Sequence, residues 1–238
     1  MIHLVKVDEK TFKKVTKMKV KPEQEHFVAP NVYSLAQAWL YYKAARPFVI
    51  MNDDEPVGFI MLDWNEAART ATIWRFMIEA EQQNKGYGRE ALTAALEYIK
   101  ASGKFDAVFL DYVPENKIAR ELYYSLGFCE NGEVDDDEII MVLPLTESPK
   151  VGIKNADLDD IEEIEEFISG QIQKGVSIPD IFMSKEILIK AFEKGNLYIL
   201  MIMGKTIGVS DGKNIFISSD HHKYSSEALD LLKKIINI

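Results

Sequence analysis

The stretch that most constrains this chain runs from Ile73 to Lys100. Ile73–Ile78 reads as a strand, Glu79–Lys85 as a polar loop, and Gly86-Tyr87-Gly88 opens a helix. Leu92, Ala95, Leu96 and Ile99 fall at offsets of three and four on that helix, which gives it one apolar stripe. Gly103 just beyond marks its stop. A glycine-bearing loop that feeds a helix N-terminus presents unpaired N–H groups and a positive dipole end, so it is suited to hold phosphates. Lys85 and Arg89 add charge of the right sign.

Two phosphate compounds compete for that seat. Gly86-Tyr87-Gly88-Arg89-Glu90-Ala91 matches the G-x-G-x-x-G/A dinucleotide fingerprint, and Asp111 lies near the distance of a ribose-binding acid. The context is wrong, because the fingerprint wants its glycines immediately after the strand and Glu79–Lys85 intervene. The longer string from Ile78 to Gly88 resembles the Q/R-x-x-G-x-G/A acyl-CoA loop of the GNAT superfamily of N-acyltransferases, with Gln83, Gly86 and Gly88 in the matching places. A second motif agrees. Asn116-Lys117-Ile118-Ala119-Arg120-Glu121-Leu122-Tyr123-Tyr124-Ser125-Leu126-Gly127-Phe128 is similar to the superfamily's N-x-x-A-x-x-L-Y-x-x-x-G-F segment, and it follows the apolar run Ala107–Leu110. Taken by itself it is also an ordinary amphipathic helix, with Asn116 as N-cap, Gly127 as stop and Tyr123 as packing.

The rest of the first part fits that fold. A strand at His3–Val7 and a helix at Thr11–Lys19 precede an irregular stretch, Val20–Pro30; Ser34 then caps a second helix. Phe48–Met51 and Val57–Leu62 form a hairpin about Asn52–Glu55, Asn65–Arg69 turns into the organising strand, and Cys129–Glu133 pairs with Glu138–Leu143. The expected class is α/β: a mixed sheet over residues 1–145 with a parallel pair splayed at its centre. Within the superfamily the chain looks most like bacterial spermine/spermidine (polyamine) acetyltransferases, on Arg75-Phe76, on Gln24 with Phe27-Val28, and on Asn131-Gly132-Glu133.

The resemblance implies acetyl-CoA as cosubstrate, no metal, and a small-molecule amine as acceptor. A protonated amine must lose a proton before attacking a thioester, the oxyanion needs a fixed donor, and the departing thiolate needs an acid. The resemblance assigns the acid to Tyr123 and the donor to a backbone N–H at Met77 or Ile78. The pantetheine arm would lie on the main chain of Met77 and Ile78, with Asn116 across from it. The pyrophosphate would lie on the amides of Gln83, Asn84, Lys85, Gly86, Tyr87, Gly88 and Arg89. Valine at Gly86 or Gly88 is expected to abolish acetyl-CoA binding. Many relatives keep a glutamate early in the fourth strand as base; here Thr72 stands there. Asp63, Glu25 and His26 could approach the acceptor end, as could an aromatic slot of Trp39, Tyr42, Trp64, Phe27 and Trp74. For each, a solvated or core side chain is the competing reading.

The net charge of −10 makes nucleic acid and anionic membranes poor partners and favours cationic ones. No apolar run approaches the about 18 residues of a membrane span, and no leader precedes the first strand. The single cysteine, Cys129, reads as a small buried hydrophobe beside Phe128 and fits a reducing cytoplasm. Pro144–Lys150 reads as a linker to a second domain, residues 146–238. There, Tyr198–Met201 through Ile207-Gly208 overlays Phe48–Met51 through Val57-Gly58 at a constant offset of 150. Gly152–Ala156, Asp157–Ile168 and Ser184–Lys194 repeat the opening strand, helix, helix order, with Ile215–Ser218 and a helix at Glu227-Ala228-Leu229 to follow. The tail therefore reads as a truncated, degenerate half of the same fold, against a generic small α/β domain. In place of a glycine loop it has His221-His222-Lys223-Tyr224-Ser225-Ser226, a solvated turn ill-spaced for metal, so it would hold no acetyl-CoA. It would cover a sheet edge, shape the acceptor cleft or make a homodimer. Acetyl transfer to a small-molecule amine by direct attack is the expected function. The alternatives are a peptide, protein or aminoglycoside amine as acceptor, and a non-catalytic acyl-CoA sensor.

Overall fold

The computed structural model describes residues 1–236 and divides into two compact units. The first comprises Met1–Glu66 and Thr70–Glu147; the second comprises Ala67–Arg69 and the chain from Ser148 onward. No helix among the described residues is long and apolar enough to cross a membrane.

In the first unit, β1 (Ile2–Lys6), α1 (Glu9–Val15), α2 (Asn31–Leu40), β2 (Ala45–Asn52), β3 (Glu55–Asn65), β4 (Thr70–Ile78), α3 (Tyr87–Ala101), β5 (Ala107–Tyr112), α4 (Lys117–Ser125), β6 (Cys129–Asp135) and β7 (Glu138–Pro144) follow in order. The sheet runs β1-β2-β3-β4-β5-β7-β6, and only β4 and β5 are parallel. Both faces are covered. Ile60, Leu62, Ile73, Val108 and Leu110 pack with Leu92, Leu96 and Ile99 of α3 and Tyr123 of α4. On the opposite face Val49, Phe59, Met61 and Met77 pack with Val15, Met18 and Ala38. Burying each of those leucines and isoleucines contributes about 1.5–3 kcal/mol.

Local chemistry shifts several expected boundaries. Asp8 accepts from the amides of Lys10 and Thr11, and Thr11 answers through its hydroxyl, so a capping box starts α1 two residues before Thr11. Ser34 does not cap α2. That helix starts at Asn31 after Pro30, and Ser34 is buried inside it with its hydroxyl on the Pro30 carbonyl. Asn31 instead reaches back, donating to the Val15 carbonyl at 2.9 Å and so closing the C-terminus of α1. Cys129 is exposed, which corrects the buried reading: Phe128 turns inward, and the next side chain along an extended strand turns out.

The second unit has β8 (Gly152–Asn155), α5 (Asp160–Gln173), α6 (Lys185–Glu193), β9 (Tyr198–Ile202), β10 (Lys205–Ser210), β11 (Ile215–Ile217) and α7 (Ser225–Ile235), with an antiparallel sheet ordered β11-β10-β9-β8. This is the element and neighbour order of β1 through α3. The hairpins also agree in register: Ile50 faces Gly58 and Leu200 faces Gly208, and the bulge that follows leaves Val57 and Ile207 without partners. Gly58 and Gly208 do the same work. A Cβ on Gly58 would stand 2.5 Å from the Met77 carbonyl oxygen, and one on Gly208 2.3 Å from that of Phe216. Each carbonyl belongs to backbone and can yield only by moving a strand. Gly58→Ala and Gly208→Ala are each expected to lower unfolding free energy by roughly 1–3 kcal/mol, read from urea melts. Wild-type midpoints in both would show that the strands give way freely.

Candidate active site

The first unit opens where β4 and β5 part. They pair only from Thr70 with Ala107 to Thr72 with Phe109; beyond that Ile73–Ile78 and Leu110–Tyr112 diverge. A cleft of about 1050 Å³ fills the gap, walled by the free half of β4, the end of β5, the phosphate loop, α4 and the loop before α2. A bulge helps to set the wall: Met61 pairs with Arg75 and Leu62 with Ile73, leaving Trp74 as the extra residue on β4.

Alternation along β4 decides which main-chain groups face the opening. The Glu79 amide donates to the Val57 carbonyl at 2.9 Å, so Met77, opposite Phe59, also turns its N–H and C=O to β3. Phe76 and Ile78 turn theirs the other way. The Ile78 carbonyl accepts from Gln83 Nε2 at 3.1 Å, which leaves the Ile78 N–H toward the cleft. Met77 is therefore a ladder residue, its sulfur 3.8 Å from Asn31 Nδ2, and Phe76 is the strand-end residue that spacing alone did not single out.

The phosphate loop is built as an open cradle. Asn84 and Gly86 both have left-handed backbone, with φ of 63° and 85°, and Gly86 is the N-cap of α3. The amides of Arg89 and Glu90 are satisfied by the Gly86 carbonyl. Those of Asn84, Lys85, Gly86, Tyr87 and Gly88 have no acceptor among the described residues. Consecutive orphan N–H groups at a helix N-terminus fit a diphosphate. Lys85 Nζ lies 2.8 Å from Gln82 Oε1, and Arg89 donates to Ser125 Oγ at 2.6 Å, tying α3 to α4. Gln83 Nε2 also donates to Gln24 Oε1 at 2.7 Å, which fastens the loop before α2 to the phosphate loop.

On the far wall Asn116 caps α4, accepting from the Ala119 amide at 3.2 Å, and keeps its amide nitrogen for the cleft that it lines. The helix ends in a Schellman motif: Phe128 N–H goes to the Tyr123 carbonyl, Gly127 N–H to that of Tyr124, and Gly127 has φ of 93°. The closure carries buried Phe128 against the Tyr123 ring, with centroids 6.2 Å apart, while Tyr112 flanks the other side at 6.4 Å. Tyr123 is 7% exposed and lines the cleft, and its hydroxyl has no hydrogen-bond partner among the described residues. Burial, then the charges of Asp111 and Glu138, push its phenol well above the usual tyrosine value. It stays protonated at neutral pH.

Of the expected acceptor groups, Glu25, His26, Phe27 and Trp74 line the cleft. Asp63 does not: it pairs across to Thr72 and Ala45 near Arg46, where burial raises its pKa and Arg46 opposes the rise. Trp39 and Tyr42 are 80% and 68% exposed on the α2 side, and Trp64 packs against Tyr98 and Phe105, so these three form no slot. Asp111 and Glu138 line the cleft instead.

The family model for the acetyltransferase (GNAT) family matches residues 12–128. The spermine/spermidine N(1)-acetyltransferase of Bacillus subtilis (strain 168) is 31% identical over 112 residues, covering 44% of this chain and 72% of that protein. The probable spermine N(1)-acetyltransferase of Bacillus subtilis subsp. natto gives the same figures. Among solved structures, the spermidine N-acetyltransferase of Vibrio cholerae in complex with CoA and spermine has a TM-score of 0.52 at 20% identity, over 60% of this chain and 95% of that one. An aminoglycoside acetyltransferase in complex with coenzyme A also gives 0.52, at 18% identity over 61% and 95%. The splayed strands, the glycine cradle and the tyrosine helix thus coincide with a family match and a relative covered over most of its length, and the chain belongs to the GNAT family of N-acetyltransferases.

Proposed function

We propose that the first unit transfers acetyl from acetyl-CoA to a primary amine of a small polycation of the polyamine class, by direct attack within the splayed cleft. The observation that carries this reading is the row of five orphan amides, Asn84 to Gly88, in a loop whose Asn84, Tyr87 and Gly88 line the same cleft as Tyr123. Acetyl-CoA, when bound, supplies an activated acyl carbon. The Asn84–Gly88 amides would hold its diphosphate, and Phe76, Ile78 and Asn116 its pantetheine arm. The Ile78 N–H is the fixed donor available to an oxyanion. Tyr123 Oη holds the proton that the leaving group requires.

The lining favours a cationic acceptor. Glu23, Glu25, Asp111, Glu115, Asp135, Asp136, Asp137 and Glu138 face only Lys21, Arg75 and Lys117 among the formal cations. Such a field concentrates a polycation and repels an anion. The names of the Bacillus subtilis relatives point the same way. In the second unit, a 3-10 turn at Ser219–Tyr224 runs straight into α7, the His221 amide bonds to the Ser218 carbonyl, and no glycine opens a cradle. We read this unit as a half copy of the fold without an acyl-CoA site.

Release of CoA thiol is the test, with spermine and spermidine, an aminoglycoside and an N-terminal peptide offered side by side. Polyamines are expected to give the highest kcat/KM. Preference for the aminoglycoside or the peptide would reassign the acceptor. Tight acetyl-CoA binding without transfer to any of them would make the unit a sensor.

A further inference from the structure

We propose, on the reading of the cleft as an acetyl-transfer site, that Asp111 and Glu138 form one proton-accepting pair that takes the proton of the acceptor ammonium before attack. Asp111 of β5 stands opposite Ile140 of β7, and Glu138 lies two residues before Ile140. The pleat therefore puts both side chains on one face as diagonal neighbours. At that spacing the two carboxyl groups interact, and each disfavours the ionisation of the other. Two carboxylates only accept, so such a pair can hydrogen-bond only by sharing a proton. Both line the cleft beside Tyr123 and Arg75.

Two further observations mark the place as one that receives a ligand. Tyr123, more than nine-tenths buried, lines the same space, and its hydroxyl has no partner among the described residues. Arg75 Nε is buried without a partner, while its other nitrogens go to the Trp74 carbonyl at 2.6 Å and Gln37 Oε1 at 3.2 Å. Arg75 is thus close enough to bias the pair without neutralising it by an ion pair. The groups facing Glu138 are Asp111 from β5, Arg75 from β4, Asp135 from β6 and Tyr123 from α4. The hydrogen bond to Asp111, then burial, then the Asp111 charge hold Glu138 up to about 7, with Arg75 pulling the other way. A proton acceptor poised near neutrality is matched to its task. It also fills the role left vacant by Thr72.

The proton balance closes. The ammonium gives one proton to the ionised pair and becomes a neutral amine. Its nitrogen forms the C–N bond, the thioester C–S bond breaks, and the thiolate takes the Tyr123 proton. The tyrosinate recovers a proton from the new amide nitrogen, and the pair releases the first proton to water.

The test is kcat/KM for spermine across the neutral range with acetyl-CoA saturating. It uses wild type, Glu138→Gln and Glu138→Asp, with acetyl-CoA affinity from calorimetry and melting temperature alongside. Wild type is expected to gain activity as pH rises through the pair's apparent pKa, near 7. Glu138→Gln keeps a side chain able to hydrogen-bond Asp111, so it should melt and bind acetyl-CoA as wild type does. It should nevertheless lose the rising limb and about 100-fold or more in kcat/KM. Glu138→Asp should recover part of the rate with a displaced limb. A Glu138→Gln enzyme that retains both rate and limb would overturn the pair while leaving acetyl transfer intact. A wild type that binds acetyl-CoA and acetylates no amine would remove the functional reading and the pair together.

Discussion

Replacing Tyr123 by phenylalanine is expected to lower kcat about a hundred- to ten-thousand-fold, the usual worth of a positioned acid, while acetyl-CoA affinity stays within a few-fold. Stability should hold as well. The ring does the packing, between Tyr112 and Phe128, and phenylalanine keeps it. Removing a hydroxyl normally strands its partner, but this one, on a residue that lines the cleft, has none among the described residues. The effect should fall on kcat, because the proton is needed only as the C–S bond breaks. Phenol acidity supports the assignment: burial and two neighbouring carboxyl groups raise the pKa, so the proton is present throughout the neutral range. A variant whose kcat is unchanged, or whose loss lies wholly in the KM for acetyl-CoA, would reduce Tyr123 to a packing residue. Melting temperature, CoA-thiol release and calorimetry decide among these outcomes.

Both motifs were legible because each is closed by local interactions. Gly127 and Phe128 finish α4 with bonds that span a few residues, and Gly86 is needed where the backbone turns left-handed. The matching register of the two hairpins was legible for a related reason. Gly58 and Gly208 mark the same approach of a neighbouring carbonyl, and the offset of 150 preserves it. What stayed hidden depends on pairing across the sheet. Asp111 and Glu138 meet only because β7, not β6, lies beside β5, a choice that the order of strands along the chain does not declare. Asp111 was visible only as an acid at ribose-binding distance from the glycines, and Glu138 only as the first residue of a strand. Phe76, and not Met77, turns its main-chain groups away from β3, a parity that the bulge at Trp74 resets. Of the aromatic slot, only Phe27 and Trp74 line the cleft. Trp39, Tyr42 and Trp64 have the composition of a cage, but Trp39 and Tyr42 lie outside the cleft and Trp64 is engaged with Tyr98 and Phe105.

Valine at Gly86 should separate cofactor binding from folding. Gly86 has φ of 85°, and a β-branched residue held there would cost about 1–2 kcal/mol, so the loop is expected to relax toward negative φ. The nearest atom to an added Cβ is Glu90 Oε1 at 3.9 Å, so the penalty is conformational and the surrounding fold is spared. Relaxation rotates the peptide planes on either side and scatters the five amides from Asn84 to Gly88. Hydrogen bonds to a charged acceptor contribute about 1.5–3 kcal/mol each. These bonds outweigh the strain, so the bound loop is driven back into the cradle and acetyl-CoA binding weakens only by that strain, about 5- to 30-fold. Gly88 is different. Its missing Cβ points at Leu122, Phe76 and Ile78, at 3.6 to 3.9 Å, so a side chain there meets an apolar wall and not the phosphates. Gly88→Ala is accordingly expected to keep affinity within a few-fold, and valine there would act by crowding α4. Calorimetry with acetyl-CoA and with CoA, beside far-ultraviolet circular dichroism, reads both variants. If Gly86→Val binds acetyl-CoA as wild type does, the diphosphate lies elsewhere and the cradle has lost its ligand.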